Sequence, residues 1–177
     1  MLEVLQVLAV LFFVLGTVPA LAHALESPGK RRLDKDVYLA VQSIYHPGFT
    51  LAAGIGKAVG LIVLIVLLLS TPAGTVPFWL TLVAVLALVA MQAVYWTVTH
   101  PLDRHWMVAE LHRRRDEHRH LAYRLLFGDA AATRTGLHVE PVPADWQPVR
   151  DRWEYSHVAR AALAVVGLVA LIIAVSG

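Results

Sequence analysis

Four long apolar runs limit what this chain can fold into more than any other feature. They cover residues 2–25, 49–69, 77–99 and 155–175. Each is close to the ~20 residues that an α-helix needs to cross a hydrocarbon core ~30 Å thick. A segment inside a bilayer must satisfy its own backbone hydrogen bonds, so we expect four helices. The sequence therefore predicts an all-α, membrane-embedded four-helix bundle that forms a single membrane domain over residues 1–177.

The composition supports this prediction and narrows the chemistry. The chain is 58% hydrophobic and only 16% charged, and its mean hydropathy is +0.62, which is too apolar for an ordinary soluble domain. It contains no cysteine, and this excludes disulfides, iron–sulfur clusters, Cys-ligated zinc and thiol nucleophiles. Any bound metal would therefore need imidazole, carboxylate or backbone ligands.

The first apolar run has an alternative interpretation as a signal peptide, because Ala22-His23-Ala24 matches an Ala-x-Ala cleavage pattern. The residues before the run carry no positive charge, however, and the run is longer than the usual apolar region of ~7–15 residues. We therefore expect a retained membrane helix.

Lysine and arginine set the expected orientation, because they concentrate in cytoplasmic loops. The first loop contains Lys30, Arg31, Arg32 and Lys35, the second contains neither residue type, and the third is rich in arginine. With four spans the two basic loops lie on the same side. The sequence predicts a multi-pass protein of the inner (plasma) membrane with both termini outside.

The third loop, residues 100–154, is expected to be partly helical. Pro101 suits the first turn of a new helix, and apolar residues recur at helical spacing up to Phe127, before Gly128. Residues 129–148 are interpreted as an irregular linker.

The same loop contains Arg113, Arg114 and Arg115. Such a cluster beside a membrane is typical of a surface that binds anionic lipid headgroups. It lacks the interleaved aromatic residues of nucleic-acid-binding segments, so we expect no nucleic-acid partner.

A small-xxx-small pattern in the second run, Gly56 and Gly60, predicts close helix packing. Between them, Lys57 is expected either to extend its side chain back to the membrane surface or to pair with Glu26.

Polar residues gather at the basic end of the predicted bundle. His23 and Glu26, and likewise Glu154 and His157, are spaced i,i+3 and therefore share a helix face. Ionisable groups at such positions usually face the bundle interior or water. The residues that the topology brings to this end are His23, Glu26, His46, Tyr95, His100, Glu154, Tyr155 and His157.

Three interpretations of this group stay open. In the first, it is a metal or haem site, with ligands drawn from His23, His46, His100 and His157. In the second, it is a metal-free acid–base pocket, with His23 or His157 as the base. In the third, the side chains only solvate the helix ends and pair with Arg32, Arg152 or Arg160.

Within the acid–base interpretation, Glu26 and Glu154 are the orienting carboxylates. Trp153, Tyr155 and Tyr95 are the expected binding residues for an apolar small molecule or cofactor.

Four segments carry a family resemblance: residues 19–26 (PALAHALE), 45–50 (YHPGFT), 99–103 (THPLD) and 146–160 (WQPVRDRWEYSHVAR). With them the chain resembles the DUF1772 family of bacterial membrane proteins, also called the anthrone oxygenase family. The resemblance implies a four-helix membrane bundle. It also implies oxidation of polycyclic anthrones to anthraquinones by O2, through a base that makes a carbanion beside a carbonyl group.

The leading hypothesis is thus an oxygenase-like enzyme that acts on an apolar, enolisable or quinone-like molecule at the His/Glu cluster. The alternatives are a non-catalytic protein that binds lipids or a partner through its arginines, and a haem or metal carrier.

Overall fold

The computed structural model describes residues 2–45, 48–103, 105–106 and 143–177. These residues form helices and no strands, which confirms the all-α prediction. A π-helical turn, Tyr95–Thr99, directly follows the fourth helix. The α-helices are α1 (Leu2–Lys30), α2 (Lys35–Tyr45), α3 (Gly48–Ser70), α4 (Val76–Val94) and α5 (Gln147–Ser176).

Four of the helical segments are long and apolar enough to cross a membrane, namely α1, α3, α5 and α4 with its continuation to Asp103. Large apolar side chains point outward along all of them, where a bilayer would cover them. Examples are Val7, Leu11, Ile62, Leu69, Val89, Val166 and Ile173. The predicted bundle of four membrane-compatible helices is confirmed.

The helices surround a core of mostly small and aliphatic residues around the fully buried Phe13. Helix α1 packs between α3 and α5, and α4 packs mainly against α5. Glu3, near the N-terminus, and Val175, near the C-terminus, line one groove, so both termini lie at the same end of the bundle. Helix α2 and the first turns of α5 lie at the other, basic end.

The two helices α1 and α3 approach most closely at Gly16 and Gly56. A Cβ atom added to Gly16 would lie 2.7 Å from the Lys57 backbone nitrogen and 2.8 Å from the Gly56 carbonyl carbon. At Gly60, an added Cβ atom would lie 3.2 Å from the Phe12 carbonyl oxygen. The predicted close packing through Gly56 and Gly60 is confirmed, because a side chain at Gly56 would collide with the α1 backbone and one at Gly60 would make an unusually tight contact with it.

The polar ends of the helices differ most from the prediction. Helix α1 continues to Lys30, and α5 begins at Gln147 with Pro148 in its first turn. Helix α2 was not predicted at all. Its start is stabilised by Asp34, whose Oδ1 accepts a hydrogen bond from the Val37 backbone N–H at 3.0 Å.

The prediction that Pro101 begins a new helix was wrong. The helix that starts at Val76 continues to Asp103 through the π-helical turn, in which the His100 N–H donates to the Tyr95 carbonyl oxygen. Proline has no N–H to donate and crowds the turn before it, and this wider turn lies directly before Pro101. The remainder of the predicted cytoplasmic helix, with Arg113, Arg114 and Arg115, lies outside the described residues.

We predict that Gly56→Ala lowers the free energy of unfolding by about 1–3 kcal/mol, because the new methyl group must push α1 and α3 apart. The matched control is Gly54→Ala, two residues away on the same helix, where an added Cβ atom meets nothing within 4 Å. The control should be neutral or slightly stabilising. Unfolding of the purified protein in detergent measures both, and equal stability of the two variants would contradict the close packing.

Candidate functional site

A group of buried polar side chains lies at the basic end of the bundle, where α1, α2 and α5 meet. We call it the polar cluster. Its members are His23, Lys30, Tyr38, Glu154, His157 and Arg160, all less than a tenth exposed.

Glu154 lies at the centre of the polar cluster, and its side chain is 1% exposed. Its Oε1 atom accepts a hydrogen bond from the Tyr38 hydroxyl at 3.0 Å and lies 3.2 Å from Lys30 Nζ. Lys30 is itself 4% exposed and lies 3.0 Å from His23 Nδ1. His23 and Lys30 are two helical turns apart on one face of α1, so the helix positions both toward Glu154.

Two histidines face each other beside this ion pair. The rings of His23 and His157 are 4.3 Å apart between centroids, and the Trp153 ring lies 4.3 Å from His157 and 5.2 Å from His23. On the far side, Arg160 Nη1 lies 3.3 Å from His157 Nδ1. The i,i+3 spacing of Glu154, His157 and Arg160 puts all three on the face of α5 that is turned into the bundle.

The hydrogen-bond partners assign the protonation of both imidazole rings. A lysine ammonium and an arginine guanidinium can only donate hydrogen bonds. His23 Nδ1 therefore accepts from Lys30, and His157 Nδ1 accepts from Arg160. A neutral imidazole that accepts at Nδ1 carries its proton at Nε2. We accordingly assign an Nε2–H donor to His157.

Three buried polar atoms of the polar cluster have no hydrogen-bond partner among the described residues: Glu154 Oε2, His157 Nε2 and Arg160 Nε. Buried polar groups are normally paired, because an unpaired one loses its hydration without compensation. Here one atom is an acceptor and two are donors. A ligand would satisfy all three atoms if it carried an oxygen acceptor and, in addition, either a hydrogen-bond donor or an acidic C–H group.

A partly exposed carboxylate connects the polar cluster to the surface. The Glu26 side chain is 43% exposed and lies 3.8 Å from Lys30 Nζ, and its Oε2 accepts from the Tyr45 hydroxyl at 2.6 Å. Burial raises the pKa of Tyr45, and the hydrogen bond to Glu26 raises it further. Burial and the Glu154 carboxylate likewise raise the pKa of Tyr38 above its usual range. Both phenols therefore remain protonated donors.

Some of the site residues predicted from the sequence meet in the polar cluster, and others do not. His23, Glu154, His157 and Trp153 do meet, and Glu26 lies at the rim of the same group. Tyr155 does not line the polar cluster, since it is 56% exposed and accepts a hydrogen bond from Arg31 Nη1 at 3.0 Å.

Tyr95 and His100 lie to one side. The Arg160 Cζ atom is 5.3 Å from the centroid of the Tyr95 ring, so Tyr95 borders the polar cluster rather than belonging to it. His100 packs against Tyr95 and Trp96, at centroid distances of 5.7 Å and 4.8 Å. His46 lies outside the described residues.

Of the four histidines proposed as metal ligands, His23 and His157 face each other, whereas His100 packs against Tyr95 and Trp96. No group of three or more His, Asp or Glu side chains in the described part of the chain is arranged to hold a metal ion. The Nδ1 atoms of His23 and His157 already face the cationic groups of Lys30 and Arg160. A metal cation at either Nδ1 atom would have to displace these positive charges, so we derive no step through one.

The pairing of Glu154 also differs from the expectation for solvated helix ends. The expected partners of the side chains at the helix ends were Arg32, Arg152 and Arg160. Of these, Arg160 contacts His157, whereas the carboxylate of Glu154 is paired with Lys30.

Two central residues were missed from the sequence. Lys30 is four residues after Glu26 and seven after His23, so an α1 extended to residue 30 would have placed it on their face. Tyr38 shares a face of α2 with Gln42 and Tyr45, which are also buried. The helix-capping Asp34 followed by this i,i+4,i+7 pattern was the signal for a short helix.

Comparison of the chain with protein-family models, with curated proteins and with solved structures finds no match.

We predict that Lys30→Met lowers the free energy of unfolding by about 3–5 kcal/mol, because it leaves the Glu154 carboxylate buried without a cation. Adding Glu154→Gln to this variant should recover a large part of the loss. Lys35→Met, a change of the same kind on a partly exposed side chain, should alter stability by about 0.5 kcal/mol or less. Unfolding in detergent measures all three. A double variant no more stable than Lys30→Met would show that the two residues are not coupled.

Proposed function

We propose that this multi-pass membrane protein is an oxygenase-like enzyme that removes a proton from an apolar, enolisable or quinone-like molecule. The observation that carries the proposal is the pair of unpartnered buried atoms on successive turns of α5, Glu154 Oε2 and His157 Nε2. One atom can accept a proton, and the other can donate a hydrogen bond to the oxygen on which negative charge develops.

Glu154 is the base in this proposal. Its Oε1 atom is held by Tyr38 and Lys30, which leaves Oε2 to take a proton from a C–H group beside a carbonyl. Tyr38 and Lys30 therefore act as positioning residues. His157 takes the role of donor, in place of the base role that its spacing first suggested, because its Nδ1 lone pair is directed at Arg160.

The resulting enolate would be stabilised by fixed donors. The Nε2–H group of His157 and the Nε–H group of Arg160 are unpartnered and buried. Donors that are already oriented toward a developing oxyanion contribute strongly to catalysis where water is excluded. The ring of Trp153, which packs on His157, provides an apolar surface for the substrate.

The resemblance to the DUF1772 family supports an anthrone-like substrate. Loss of a proton from the CH2 carbon of anthrone gives a carbanion that reacts with O2. One anthrone and one O2 give one anthraquinone and one water, so the carbon is oxidised and O2 is reduced without another reductant. The apolar outer surface of the helices suits a substrate that arrives from the bilayer.

The proposal includes an orientation in the inner (plasma) membrane, with the basic end in the cytoplasm and both termini outside. The excess of lysine and arginine at the α1–α2 end and in the loop before α5 supports it. Contact of Arg113, Arg114 and Arg115 with anionic lipid headgroups would fit the same orientation.

We predict that Glu154→Gln lowers the rate of anthrone oxidation by the purified protein by about 100-fold or more, the usual contribution of a general base. Anthraquinone absorbance and O2 uptake measure the rate. The matched control, Asp151→Asn, removes a carboxylate from the same helix that pairs with Arg31 and Arg150 outside the polar cluster, and it should leave the rate unchanged.

Full activity of Glu154→Gln would contradict the assigned base. A wild-type protein that binds anthrone without oxidising it would favour the non-catalytic alternative.

A further inference from the structure

Lys57 and one member of the polar cluster, Arg160, face the same aromatic ring where α3 meets the π-helical turn. Lys57 Nζ is 4.7 Å from the centroid of the Tyr95 ring, and Arg160 Cζ is 5.3 Å from the same centroid. The expected pairing of Lys57 with Glu26 does not occur among the described ion pairs, since Glu26 lies near Lys30 and Lys57 lies over Tyr95. Both cations belong to helices that are apolar enough to span a membrane.

These two cations share one nearby carboxylate, Asp103, among the described residues. No carboxylate in the described ranges forms an ion pair with either of them. Asp103, the acidic residue that ends the same helical segment as Tyr95, uses Oδ1 to accept a hydrogen bond from Trp153 Nε1 at 2.7 Å. Arg160 is 4% exposed, and its Nε atom has no hydrogen-bond partner there. Two cations that share one carboxylate inside a membrane protein are costly, so a second anion at this position would stabilise the fold.

The region around Lys57 is open toward the surrounding lipid. Helices α3 and α4 contact each other much less than α1 and α3 or α4 and α5 do. The side chain of Lys57 is only half-buried, and Ile55 on α3 and Trp96 in the π-helical turn are 54% and 57% exposed. A molecule within the bilayer can therefore reach Lys57 from the side.

We propose that Lys57 and Arg160 bind the oxyanion headgroup of a membrane amphiphile, a carboxylate or a phosphate. A guanidinium with a free N–H matches the oxygen atoms of either group, and a lysine ammonium adds a second charge-assisted contact. The apolar chain of the amphiphile would lie along the lipid-facing sides of α3 and α4. This site needs neither Glu154 nor a reaction, although its Arg160 Nε–H group is the same donor that the proposed enzyme directs at an enolate.

The test uses the full chain, purified in a neutral detergent, and native mass spectrometry of three probes. These are oleate, its neutral methyl ester, and the phospholipid dioleoylphosphatidylglycerol. We expect wild-type protein to retain at least one of the two anionic probes about tenfold more tightly than methyl oleate, because only anions form charge-assisted contacts. Preference for oleate identifies a carboxylate ligand, and preference for the phospholipid identifies a phosphate ligand.

Variants then assign the site. Lys57→Met should weaken binding of the preferred anion about tenfold, whereas Lys57→Arg, which keeps the charge, should retain it. Arg32→Gln removes an exposed positive charge elsewhere and should change nothing. Glu154→Gln should bind the anion as wild type does, which separates this proposal from the enzyme proposal.

Two results would overturn the proposal. One is equal binding of oleate, the phospholipid and methyl oleate by the wild-type protein, a measurement that does not depend on any variant folding. The other is unchanged anion binding by a folded Lys57→Met protein.

Discussion

The contact between Lys30 and Glu154 is the interaction on which the basic end of this protein depends. A carboxylate that is 1% exposed must be compensated for its lost hydration by a cation and by hydrogen bonds. Lys30 comes from the last turn of α1, Tyr38 from α2, and Glu154 from the second turn of α5. Compensation of one charge therefore fixes three helices relative to one another, and α2 is also held by Tyr38, whose ring packs against Trp106 and Trp146.

The polar cluster is more than a structural ion pair, because its hydrogen bonds do not balance. Lys30 is paired with Glu154 and lies near Glu26, and Arg160 is attracted by Asp103. Its unpartnered atoms include two donors, His157 Nε2 and Arg160 Nε. Such an environment favours negative charge on a bound molecule, either one that develops during a reaction or one that a headgroup carries permanently.

The sequence predicted the apolar middles of the helices well and their polar ends poorly. Hydropathy detects the segment that lipid covers, and residues such as Lys30 and Arg150 signalled a loop although both are helical. The spacing of Glu154 and His157 correctly indicated a shared face. The same spacing places Tyr155 about 100° around the helix, which is why it reaches the surface. The pairing of Glu154 with Lys30, however, depends on how far α1 rotates and extends, and no local pattern specifies that.

The length of α1 links the site to the thickness of the membrane. Its 29 residues extend about 43 Å, comparable with a whole bilayer including its headgroup regions. Lys30, which neutralises Glu154, therefore lies at the end of a long helix whose apolar part must match the thickness of the hydrocarbon layer. In a thinner bilayer α1 can tilt or kink, or the lipid around it can thicken, and a tilt or kink of α1 alone moves Lys30 relative to α5. Lipid chain length then becomes a variable that acts on the geometry of the polar cluster.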